Sequence, residues 1–155
     1  MIDIATNLKA DNNGKNIVID QVTFENNSLS SMVGMYIQNN QFDSYHSNRF
    51  QKPKATIKDL VVKKNTVAMI PVVQITYFDT IVTQLNSTLN NLTNAAVLEM
   101  TADYSTLILQ EVNSDQDTLS NSSVVYKTMD YLELSQDVLY TTESQSEGFP
   151  YAGYV

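Results

Sequence analysis

The amino-acid sequence predicts an α+β fold, with N-terminal antiparallel β-hairpins packed on one long central amphipathic helix and a second helix or strand pair near the C-terminus. Three observations carry this. Apolar residues Phe78, Val82, Leu85, Leu89, Leu92 and Ala96 recur at steps of four and three, the period of one helix face. Thr76 and Asp79 precede that run with the spacing of a capping box, and Asp79 suits the positive end of a helix dipole. Upstream, alternating apolar and polar residues bounded by turn signals read as strands.

Taken in order, Asn13-Gly14 is a turn signal, because both residues accept positive φ. Ile17, Ile19, Val22 and Phe24 then alternate as a strand with a bulge near Asp20-Gln21, and residues 25–28 turn the chain toward a second strand over Met32–Ile37 that contains Gly34. Residues 38–55 show neither period and read as an exposed arm. Thr56 to Val73 reads as a hairpin around a Lys-Lys-Asn-Thr turn, with Pro71 marking an edge or a break. The central helix follows, through about Met100. For 101–112 helix and strand both stay open, with Leu107-Ile108-Leu109 favouring strand, and the same ambiguity holds over 124–140. No internal repeat is apparent. The expected organisation is a single domain, 1–147, with the arm at 38–55 and an aromatic tail at 148–155.

The seam spans about three heptads with almost no charge on its flanks, so one amphipathic helix laid across strands fits better than a coiled coil. On that reading Leu89→Asp would put an unpaired charge in the core and destabilise strongly.

Composition bounds the function. A chain of 155 residues with 43% apolar content can bury a core unaided. No cysteine is present, which removes disulfides, thiol catalysis and Cys-based metal sites. No apolar run is long enough to span a bilayer as a helix, and the N-terminus lacks the pattern of a signal peptide, so the expectation is a protein made in a host cytoplasm, with no membrane partner. The net charge is −8, yet Arg49, Lys52, Lys54, Lys58, Lys63 and Lys64 cluster, while the segment from Asp103 onward is acidic apart from Lys127. Two solvated faces are one reading; a basic segment meeting the acidic half of a neighbouring copy is the other. An acidic protein with so compact a basic patch is a poor candidate for direct nucleic-acid binding.

Chemistry is thinly supplied. His46 is the one histidine, and it lies in the arm, so a triad or a His-rich metal site has little to draw on. Asn113, Asp115 and Asp117 imitate the start of an EF-hand loop, but Thr118 replaces the required Gly and Val124 the bidentate Glu. Neither GxxxxGK[ST] nor GxGxxG occurs. Sequons at Asn26, Asn86, Asn91 and Asn121 are expected by chance in so Asn-, Ser- and Thr-rich a chain. No catalytic, cofactor or metal residues are assigned.

The candidate contact residues are aromatic and basic: Phe42, Tyr45, Arg49, Phe50, Lys52 and Lys54 in the arm, and Phe149, Tyr151 and Tyr154 in the tail. Such an arm pins itself to its own domain, plugs a pocket on a neighbour, or stacks on sugars or bases. The tail folds back on its own domain or docks on a partner. The expected function is therefore a non-enzymatic structural subunit of a virion: a phage capsid accessory, fibre-base or head–tail connector component. It would be a homo-oligomer contacting other virion proteins. The alternative is a carbohydrate- or protein-binding module using residues 42–50.

Overall fold

The computed structural model describes residues 2–6, 16–39, 53–101, 106–128, 131–134 and 151–153. The described chain is all strand and turn. Sixteen strands form three sheets, and every pairing between them is parallel. The expected central helix and antiparallel hairpins are absent from the described residues.

The chain is a parallel β-solenoid. β1 (Ile2–Thr6) lies at one end of the first sheet. Each coil then visits a second, a third and again the first sheet. The opening coil is β2 (Asn16–Ile19) with β3 (Val22–Glu25), then β4 (Ser28–Leu29) and β5 (Met35–Asn39). The next is β6 (Lys54–Lys63), β7 (Thr66–Ala68) and β8 (Val73–Thr76). It is followed by β9 (Asp79–Thr88), β10 (Asn91–Thr93) and β11 (Ala96–Thr101), then by β12 (Thr106–Asp115), β13 (Thr118–Ser120) and β14 (Ser123–Thr128). β15 (Tyr131–Leu134) and β16 (Tyr151–Gly153) complete the described strands. The sheet orders are β1-β5-β8-β11-β14-β16, β15-β12-β9-β6-β2 with β3 also on β6, and β13-β10-β7-β4. In a solenoid the next coil supplies the crossover that parallel pairing needs, so no helix is required.

Residues that stack in successive coils are 38, 25 and 27 positions apart, as in Asn27–Asn65, Asn65–Asn90 and Asn90–Asp117. The chain therefore repeats, although unevenly. The extra length sits at the corner between the first and second sheets. That corner is only Tyr77-Phe78 between β8 and β9, but spans 40–53 between β5 and β6 and 102–105 between β11 and β12.

The helical appearance of the central segment has a specific origin. β9 alternates buried Thr80 and Val82 with outward neighbours, then places Thr83 and Gln84 both outward before Leu85 and Ser87 return inward. β6 does the same at Lys58-Asp59 and β12 at Gln110-Glu111. Each strand bends there, as at a β-bulge. Two ordinary steps of two make the four from Phe78 to Val82, and the bend makes the three from Val82 to Leu85. Leu89, the supposed seam centre, is 43% exposed and sits at the following corner with φ 56°. The expectation for Leu89→Asp fails with the seam.

The other corrections share this cause. Asp79 opens β9 and its Oδ1 accepts the Thr106 backbone N–H at 2.9 Å, bracing one coil on the next instead of capping a helix. The two runs of the supposed hairpin lie in different sheets: β6 pairs with β9, β7 with β10. Where the open segments are described beyond Thr101 they are strands up to Leu134: β12 (Thr106–Asp115) starts within the first, and β14 (Ser123–Thr128) and β15 (Tyr131–Leu134) fall on the second. Asp20-Gln21, read as a bulge, is the break between β2 and β3. The turn at Asn13-Gly14 lies outside the described residues.

The core is a set of columns. Leu29, Val67, Leu92 and Leu119 stack along the third sheet, and Met35, Val73, Leu98 and Val125 along the first. Ile57 and Val82, then Leu60, Leu85 and Val112, fill the second sheet's inner side. Like on like at strand spacing gives each side chain the same van der Waals environment above and below.

Candidate functional site

Two polar arrays emerge from the stacking, one inside and one outside. The inner array lies at the corner between the second and third sheets. There the chain turns through a residue with positive φ (Asn26 at 58°, Lys64 at 54°, Leu89 at 56°, Gln116 at 54°) and then places an Asn or Asp, exposed at Asn27 in the opening coil and buried at Asn65, Asn90 and Asp117. Asn27 donates from both its backbone N and its Nδ2 to Asn65 Oδ1, at 2.9 and 3.0 Å. Asn65 does the same to Asn90 Oδ1, at 2.9 and 3.0 Å, and Asn90 to Asp117 Oδ1, at 2.8 and 3.0 Å. The carboxamide suits this because one end accepts while the other donates. Asp117 has no N–H to pass on. Its Oδ2 accepts instead from Ser87 Oγ at 2.5 Å and Ser114 Oγ at 2.9 Å, so four donors surround a carboxylate that is 1% exposed. With its oxygens engaged by this network, the array is structural.

This geometry also disposes of the EF-hand resemblance. Asn113 and Asp115 face outward along β12, while Asp117 lies inside the solenoid. The Ser114–Asp117 spacing serves the hydrogen bond just described. Among the described residues no group of three His, Asp or Glu could hold a metal ion.

The outer array runs across the first sheet. Tyr36, Gln74, Glu99 and Tyr126 are register partners in β5, β8, β11 and β14, each half-buried on the outer face. Beside them Thr76 and Thr101 touch through their hydroxyls at 3.2 Å, in the register that also includes Gln38 and Thr128. Gln74 Nε2 donates to Glu99 Oε1 over a long 3.4 Å. Burial pushes the Glu99 carboxyl above its ordinary value, and the Gln74 hydrogen bond pulls weakly the other way. The result is a flat strip, one tyrosine at each end and a carboxamide and a carboxylate between, spanning three strand spacings or about 14 Å.

Most of the contact residues expected from sequence, Phe42, Tyr45, Arg49, Phe50, Lys52, Phe149 and Tyr154, lie outside the described residues. Lys54 is exposed at the start of β6, in register with Asn16 and Asp79. Tyr151 opens β16 opposite Val125, so the backbone of the tail over 151–153 adds a strand to the first sheet of its own chain. Of the clustered lysines, Lys58 pairs with Asp20, and Lys63 lies 3.7 Å from Glu25. Those two charges meet partners in the opening coil, as exposed pairs of small energetic weight.

Sequence reasoning missed the strip altogether. The signal was present in the spacing: Gln74, Glu99 and Tyr126 follow the same steps of 25 and 27 as Asn65, Asn90 and Asp117. No family model matches this chain, and neither the curated proteins nor the solved structures contain a match to it.

Proposed function

We propose that the protein is a non-enzymatic structural subunit of a virion, a phage capsid accessory, fibre-base or head–tail connector component, acting through contacts between subunits. The stacking of coils is the observation that carries this reading. Three parallel sheets sharing one columnar core make a stiff rod whose long outer faces suit contact with further copies. The outward positions of the described strands support it as well, since uncharged Thr, Asn, Ser and Gln are frequent there. The phage setting rests on this composition.

Light scattering coupled to size-exclusion chromatography tests it. A homo-oligomer of fixed stoichiometry, maintained on dilution, is the expected result. A monomer at every concentration and salt strength overturns the proposal.

A further inference from the structure

We propose that the outer strip Tyr36–Gln74–Glu99–Tyr126 on the first sheet is a binding site for a linear, uncharged oligosaccharide. It is independent of the structural-subunit reading. The strip combines the two chemistries that a pyranose presents. A sugar ring offers apolar C–H faces, which pack on aromatic rings, and tyrosines stand at both ends of the strip. Its rim offers hydroxyl donors, and between the tyrosines lies Glu99, a carboxylate with room for about four donors that among the described residues takes the long bond from Gln74. The Gln74 carboxamide and the Thr76 and Thr101 hydroxyls both accept and donate, as sugar hydroxyls require.

The electrostatics narrow the class. The only described charged side chain in the row is Glu99, and Asp3 is the next residue in register beyond Tyr36. With no cation in that register among the described side chains, the strip disfavours acidic glycans and nucleic acids. Its shape narrows it further. Four strands place four side chains in a straight line on a sheet, a platform for an extended chain of sugars and too shallow to enclose a monosaccharide.

The test is an array of neutral glycans, followed by calorimetry with cellotetraose, chitotetraose and maltotetraose, and with tetragalacturonate as the acidic comparison. Saturable binding of a neutral oligosaccharide is expected, with tetragalacturonate at least tenfold weaker. Tyr36→Ala and Tyr126→Ala should each weaken it by on the order of tenfold. Thr118→Ala, on the third sheet, should leave it unchanged. All variants are checked for native circular dichroism, and Tyr36→Phe, which keeps the ring, should retain binding if the alanine variant is lost to misfolding. Absence of binding to every neutral glycan overturns the proposal, as does affinity unchanged in both alanine variants or preference for tetragalacturonate. Self-association abolished by Tyr126→Ala, without glycan binding, overturns it too and assigns the face to a second copy.

Discussion

Asn90 sits in the middle of the inner array, between Asn65 and Asp117. Its Oδ1 accepts from Asn65 N and Nδ2, and its Nδ2 faces Val62 O, Ser87 Oγ and Asp117 Oδ1. Asn90→Ala leaves the buried Asn65 backbone N–H without its acceptor and strips Asp117 of one donor, at a cost of about 3 kcal/mol in denaturant unfolding. A loss below about 1 kcal/mol would show that the array contributes little. Glu99 acts in the opposite sense. Its folded-state carboxyl titrates above the ordinary value, so the folded state holds its proton more tightly than the unfolded chain does. Stability is then fully retained below the unfolded value and falls as pH rises through the folded one. Glu99→Gln should therefore raise the midpoint of urea unfolding at pH 7, with the gain shrinking toward about pH 4. An equal gain at both values would locate the effect outside this titration.

At the level of the element, the strands were legible in the sequence wherever alternation was clean. Strand was read over Ile17–Phe24 and Met32–Ile37, although the first run is two strands, β2 and β3, broken at Asp20-Gln21, and the second begins only at Met35 and runs to Asn39. The run from Phe78 to Ala96 was not read as strand, because a bend in mid-strand and a left-handed corner convert a period of two into four and three. Leu89 shows the difference. At φ 56° a leucine is strained, and Asn or Asp adopts that conformation more readily. Leu89→Asp is therefore expected to shift stability by less than about 1 kcal/mol, and Leu89→Asn to be neutral or stabilising. A loss above about 3 kcal/mol would restore Leu89 to a core. Gly34 marks a different local constraint. A Cβ there would lie 2.9 Å from Val72 O, an atom fixed by accepting from Met35 N at 2.9 Å, and 2.7 Å from Phe24 Cε1. Gly34→Ala should cost about 1–3 kcal/mol by thermal unfolding, and an unchanged melting temperature would mean that the backbone yields.

For the whole molecule, the repeat stayed hidden because its period is uneven and its ranks tolerate exchange. The corner position is Asn, Asn, Asn, then Asp; the outer strip is Tyr, Gln, Glu, then Tyr. A search for identical residues does not find the outer rank at all, and at the inner rank it is the acceptor role, not the residue, that passes from Asn65 to Asn90 to Asp117. The strip, the one candidate site built from described residues, exists only once coils are stacked, so it could be read no earlier than the repeat. The unevenness has a place, the corner between the first and second sheets, where connections of different length already coexist. Two glycines inserted within 102–105 should leave the melting temperature nearly unchanged, while the same insertion between Leu89 and Asn90 should unfold the chain. Equal effects at both places would contradict the division of the coil into a variable and a fixed corner.

The inner array also bears on how long the protein keeps its chemical identity. Asparagine ages when the backbone nitrogen of the next residue attacks its side-chain carbonyl, closing a ring that opens to aspartate. After Asn65 that nitrogen belongs to Thr66 and is held on Asn27 O at 2.9 Å; after Asn90 it belongs to Asn91 and is held on Asn65 O at 2.8 Å. Both carboxamides are themselves clamped and 1% exposed. Attack requires the coil to open first, so these two asparagines should outlast exposed ones such as Asn94 and Asn121, and the rate at which they are lost becomes a clock for the opening of the solenoid.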